Sequence, residues 1–157
     1  MFDSDPLTPF TWGELLLRLG LASALGLALG FDRELRGHDA GIRTHALVAL
    51  SSAMIMISSL IVYQQLRTEH FAPDPLRAIQ GLSQAIGFIA AGLIFVRRGA
   101  VVNMTTAANI WIAAAVGMAC GLGHYRVVII GFGFALILLT AVRVLERFLP
   151  GREPDAD

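Results

Sequence analysis

Residues 46–63 read Ala46-Leu-Val-Ala-Leu-Ser-Ser-Ala-Met-Ile-Met-Ile-Ser-Ser-Leu-Ile-Val-Tyr63, without a single charge. About 20 apolar residues span the roughly 30 Å hydrocarbon layer of a bilayer as a helix. Four further apolar segments of comparable length surround this one: Leu15–Phe31, Gly81–Val96, Ala107–Leu122 and Val127–Leu145. A 157-residue soluble domain has no room to bury five such helices. The expected solvent is therefore lipid. The expected fold is an all-α integral membrane protein, a bundle of about five transmembrane helices forming one domain over residues 1–157. Short polar tails flank it at 1–11 and 150–157.

Composition points the same way. The chain is 55% hydrophobic and 15% charged, with a mean hydropathy of +0.66; soluble domains carry about 25% charged residues. The net charge is zero and no basic run suggests nucleic acid. All 12 basic residues are Arg, which reads as the mark of a GC-rich genome. Cys120 stands alone inside an apolar segment, so no disulfide or cysteine metal site is expected. The first ten residues are acidic rather than basic, unlike the start of a secretory signal, so the first segment is expected to remain as a membrane helix.

Arg placement sets an expected orientation. Arg33, Arg36, Arg43, Arg97, Arg98, Arg143, Arg147 and Arg152 fall on one side of the bundle. Arg67, Arg77 and Arg126 fall on the other, joined by Arg18 if it snorkels outward. Eight against four places the N-terminus outside and the C-terminus in the cytoplasm. Phe10, Trp12, Tyr63 and Tyr125 then lie at the outer interface.

Lipid tails give no hydrophobic drive between helices, so small residues must let backbones approach. Gly26 and Gly30 form a small-xxx-small pair in the first segment, Gly87 and Ala91 in the third, and Gly117 and Gly121 in the fourth. Ala113, Ala114 and Ala115 extend the last surface, so segments three and four are expected to form the close-packed centre. These pairs can serve packing within one chain or a homodimer interface. The fifth segment, rich in bulky Leu, Ile, Val and Phe, is expected to face lipid. The third is short, with Gln80, Ser83 and Gln84 expected to face the bundle.

Three polar groups need an explanation. The loop Gly30-Phe-Asp-Arg-Glu-Leu-Arg-Gly-His-Asp-Ala-Gly-Ile-Arg-Thr-His45 gathers Asp32, Arg33, Glu34, Arg36, Asp39 and Arg43 at the inner mouth, with Thr44 and His45 beside them. It is either a solvated connector or a site in which Arg43 pairs with Asp32 or Glu34. Thr105, Thr106 and Asn109 open the fourth segment at spacings that place them on one face. A Thr there can cap the helix, whereas Asn109, one turn deeper, needs a partner inside the protein. Asp74 before Pro75 reads as a helix N-cap, with Arg77 and Gln80 following on the outer side. His38, His45, His70 and His124 have no metal-ligand spacing. No phosphate loop, nucleophile elbow or nucleophile–base pair is present, so no enzyme is expected.

At these residues the chain resembles the MgtC/SapB family of bacterial inner-membrane proteins. The matching stretches are Gly30-Phe-Asp-Arg-Glu34, Ala40-Gly-Ile-Arg-Thr-His45, Asp74-Pro-Leu-Arg77, Ile79-Gln-Gly81, Ile86-Gly-Phe88 through Gly92, Thr105-Thr-Ala-Ala108 with Trp111, and Gly121-Leu-Gly123. They run in order across roughly residues 13–147. The chain departs from the family pattern at Asp32, Ala85, Ala90 and Asn109. Some members carry a cytoplasmic C-terminal domain, which this chain, ending at Asp157, is expected to lack.

The resemblance implies multi-pass residence in the inner membrane and adaptation to low magnesium, extending in pathogens to growth inside host cells. It implies either a regulator that binds other membrane proteins, the ATP synthase among them, or a magnesium transporter. No cofactor is implied beyond an interaction with Mg2+. A transporter needs ligands near the midplane. Only Ser51, Ser52, Ser58, Ser59, Asn109 and the glycines are placed to contribute there. The sequence therefore favours the regulator.

Overall fold

The computed structural model describes residues 9–38, 40–68, 70–97 and 100–146. The expectations for residues 1–8 and 150–157 of the tails, and for Asp39, Arg98, Arg147 and Arg152, lie outside the described residues. Five helices follow in order: α1 (Trp12–Glu34), α2 (Ile42–Leu66), α3 (Leu76–Leu93), α4 (Met104–Leu122) and α5 (Tyr125–Glu146). A two-stranded antiparallel hairpin, β1 (Phe95–Arg97) and β2 (Ala100–Val102), joins α3 to α4, with Phe95 opposite Val102. Among the described residues, α1, α2 and α4 are long and apolar enough to cross a membrane.

Local chemistry explains the helix ends. Thr11-Trp-Gly-Glu14 is a capping box. The Glu14 amide donates to the Thr11 hydroxyl at 3.2 Å, and the Thr11 amide donates to Glu14 Oε2 at 2.9 Å. This starts α1 at Trp12, before the apolar run begins. Asp74 Oδ1 accepts from the Leu76 amide at 2.9 Å, an N-cap with Pro75 in the first turn. That cap draws Arg77 and Gln80 into α3. At the other end, Val96, Val101 and Val102 leave the helix for the hairpin, as β-branched residues favour. Gly123, at φ 75°, ends α4 in the left-handed conformation. Arg18 reaches toward the end of the bundle that carries Phe10 and the α4 C-terminus. Its Nη1 donates to the Gly121 carbonyl at 2.7 Å, and its guanidinium lies 4.4 Å from the Phe10 ring, a cation closing the C-terminal end of α4.

The centre of the bundle is α4 with α2 and α1, rather than the expected pair α3 and α4. A Cβ on Gly117 would strike the Ala49 carbonyl, and one on Gly121 would lie 2.6 Å from the Ala53 oxygen. A Cβ on Gly26 would lie 2.7 Å from the His45 oxygen, and one on Gly30 would lie 2.6 Å from the Ile42 Cα. Four glycines thus set α1 and α4 backbone-to-backbone on α2. Gly87 and Ala91 do not belong to this contact. A Cβ on Gly87 would come no closer to another element than 4.0 Å, at Trp111 Cζ2, and Ala91 is exposed. Ala115 is exposed too, while Ala113 and Ala114 are fully buried. Gln80 and Gln84 face outward rather than into the bundle.

Two apolar clusters fill the interior. One joins Met56, Leu82, Ile86, Ile110, Ala114 and Met118; the other joins Ala22, Ala53, Val116, Cys120 and Val128. Many large side chains also point outward: Leu16, Leu27, Phe31, Leu47, Phe134 and Leu138 are exposed. Small residues at the helix contacts and bulky apolar ones on the outside suit a lipid solvent, where helix contact depends on close packing.

Candidate functional site: a buried polar cluster where three helix ends meet

Glycine contacts hold the last turns of α1 against the first turns of α2, and α4 begins beside them. Arg33 lies on the face of α1 that carries Gly26, Leu29 and Gly30, so it enters the bundle and is only 5% exposed. Its Nη2 donates to the hydroxyl of Thr106, which is fully buried in the first turn of α4. This bond joins the two helix ends through the interior.

The carboxylates on either side of Arg33 have partners of their own. Asp32 Oδ1 pairs with Arg36 Nη2 at 2.8 Å, one helical turn on and half exposed. Glu34 Oε2 accepts from the Ile42 amide at 3.0 Å. Gly41 begins α2 without a capping side chain. Glu34, reaching across from α1, therefore supplies the acceptor and the negative charge that this helix start favours. A side chain at Gly41 would collide with the Glu34 carboxylate.

The expected pairing of Arg43 with Asp32 or Glu34 does not form. Arg43 is exposed and has no carboxylate partner among the described residues, because it points off the α2 face that carries His45, Ala49 and Ser52. The interior arginine is Arg33. Thr44 is half-buried. His45 is fully buried and close enough to Arg33 to feel its charge. His45 Nδ1 lies 2.8 Å from the Gly41 carbonyl; a carbonyl only accepts, so Nδ1 carries the hydrogen.

On α4, Thr106 and Asn109 share the buried face while Thr105 is exposed. Neither Thr caps α4. Asn103 precedes the helix with φ 64°, a left-handed position that Asn tolerates, and its amide reaches the Leu93 carbonyl at 3.3 Å. Asn109 is 4% exposed. His45 Nε2, Ser52 Oγ and Asn109 Nδ2 are buried without a partner among the described residues. Such atoms are the places where a bundle can accept a polar guest.

Sequence reading passed over Asn103 and gave Ser52 and Gly41 no part in this cluster. Only Arg33 left a usable signal: its spacing of seven from Gly26 and three from Gly30. Asp74, Arg77 and Gln80 sit at the other end of the bundle, all exposed. That end holds an apolar cavity of about 190 Å³ lined by Met56, Leu60, Leu76, Ile79, Leu122 and His124.

Among the described residues, the cluster does not offer a divalent cation the carboxylates it needs. Mg2+ and Ca2+ take oxygen ligands, carboxylates above all. Here the carboxylates are engaged with Arg36 and the α2 backbone, and the buried charge is a guanidinium. Among the described residues no three His, Cys, Asp or Glu side chains gather as metal ligands.

Fold and site define a helical membrane protein whose polar centre lies where helix ends meet. The MgtC family model matches residues 19–148, and the chain belongs to that family. It is 41% identical over 127 residues to YhiD of Escherichia coli (strain K12), whose name describes it as a candidate magnesium transporter; the match covers 80% of this chain and 59% of that one. It is 36% identical over 144 residues to protein SapB of Bacillus subtilis (strain 168), covering 90% and 61%. To protein MgtC of Salmonella typhimurium (strain LT2) it is 36% identical over 112 residues, covering 71% and 45%. The chain thus spans about three-fifths of the length of the first relatives it matches. No solved structure matches it.

Proposed function

We propose that this chain is a membrane-embedded regulator or accessory protein for adaptation to low magnesium, acting by binding other proteins of the bacterial inner membrane. In this reading it is multi-pass, with the N-terminus outside and the Arg33 cluster at the cytoplasmic end. The observation that carries it is the buried Arg33, held by Thr106 at the mouth between α1, α2 and α4. A guanidinium in that position repels a cation entering the bundle, and glycine contacts close the bundle beyond it. What the mouth offers to water is a charged rim, Asp32, Glu34, Arg36 and Arg43, supported on rigid helix ends. A rim of this kind suits a partner protein.

A magnesium transporter is the second reading, favoured by the name of the YhiD relative. The two separate in a strain lacking its own family member and grown at low magnesium. A regulator restores growth without raising total cell magnesium, and Arg33→Ala removes the rescue. A transporter raises cell magnesium in step with growth, and that result would overturn the regulator reading.

A further inference from the structure

α3 is an eighteen-residue helix with Gln84 as its ninth residue. At 1.5 Å per residue, Gln84 lies about 12–13 Å from either end. Its depth follows independently from α4. Gly87 faces Trp111, and α3 and α4 run in opposite directions through the hairpin. Gln84 is therefore level with about Ala114, near the middle of a helix long and apolar enough to span the membrane.

Gln84 is exposed on the bundle surface and makes no hydrogen bond among the described residues. An amide facing hydrocarbon without a partner is costly. Several outward hydroxyls in this chain avoid that cost: Ser51, Ser59 and Thr140 each donate to a carbonyl three or four residues back. Gln84 has no such bond. Around it the surface permits close approach, for a Cβ on Gly81 or Gly92 would meet nothing within 4 Å. Phe88, one turn along, is 82% exposed.

We infer that the Gln84 face of α3 is a homodimer interface and that its occupant is the same face of a second copy. Copies inserted in one membrane share orientation and depth, so a two-fold axis along the membrane normal places Gln84 opposite Gln84. An amide carries both donor and acceptor, so the pair satisfies itself reciprocally. Gly81 and Gly92 let the backbones approach, and Phe88 packs beside the crossing. Small-residue crossings splay by about 40°, which carries the exposed Arg77 ends apart into water. The exposed Gly20 of α1 and Gly131 of α5 have open surroundings too, but no unsatisfied amide sits between them and a partner.

The test is oxidative cross-linking in native membranes of single-cysteine variants of the full chain, built on Cys120→Ala. Gly81→Cys and Phe88→Cys should give a covalent dimer of twice the chain mass, and Gly20→Cys and Gly131→Cys should not. Adding Gln84→Leu to Phe88→Cys should lower dimer yield at least fivefold while leaving the thermal midpoint in detergent unchanged, since the residue touches no core. Several results would overturn the proposal: dimers through Gly20 or Gly131 instead, dimer yield indifferent to Gln84→Leu, no dimer from any variant present in the membrane, or an adduct of another mass.

Discussion

Arg33 on α1 donates to Thr106 on α4, and both side chains are buried although 73 residues separate them in sequence. A charge-assisted bond in a place water does not reach is strong, and removing one partner leaves the other buried. Thr106→Val keeps the shape and deletes the acceptor. It should destabilise the protein in mild detergent by about 1–3 kcal/mol. Arg33→Ala should cost at least as much. The two losses should not add, with a coupling of about 0.5–3 kcal/mol by thermal melts of both single variants and the double one.

Asp32 and Glu34 should behave differently despite being two residues apart. The Asp32–Arg36 pair is 37% and 39% exposed, and such pairs are worth about 0–1 kcal/mol. Asp32→Ala should leave stability nearly unchanged. Glu34→Ala removes the acceptor at the start of α2 and should cost about 1 kcal/mol, with Glu34→Gln recovering part of it. Equal effects of Asp32→Ala and Glu34→Ala in the same melts would contradict this division of roles.

Glycines at helix contacts and at the surface can be told apart by size. Gly117→Leu drives a side chain into the Ala49 backbone and should abolish folded protein in detergent. Gly131→Leu enters open surroundings on α5 and should elute and melt like the parent. Fluorescence-detected size exclusion of the two variants reads this directly.

How much of this was legible depends on what each residue type reports. α1, α2 and α4 announce themselves by apolar length, and α5 by its bulky run. The start of α3 shows in Asp74 before Pro75, which the structure confirms as the cap on Leu76, although the apolar run itself begins only at Gly81. The hairpin was hidden, because three-residue strands on either side of an Arg-rich turn are too short for a hydropathy pattern to mark. The general location of the site was readable from charge near helix ends. Its internal wiring was not, since Arg33 and Arg43 look equivalent in composition and only helical phase separates them. Arg33 shares the Gly26 and Gly30 face; Arg43 misses the His45 and Ala49 face. Segments three and four were expected at the centre because small-residue spacing marks a surface able to pack without saying which helix packs on it.

The proposed orientation has its own check. A fluorescent protein joined after Glu146 should be bright and an alkaline phosphatase joined there inactive. The reverse pattern would put the Arg33 cluster outside the cell, where it could not meet a cytoplasmic partner surface.

The central claim is that glycine-packed helices close the bundle to cations behind the Arg33 mouth and that the protein acts through partners. Magnesium entry into liposomes carrying the purified full chain, followed with an enclosed magnesium-sensitive dye, tests it most directly. The expected result is influx no faster than in protein-free liposomes, for the parent and for Arg33→Ala alike. Saturable, protein-dependent magnesium entry by the parent chain would contradict the account.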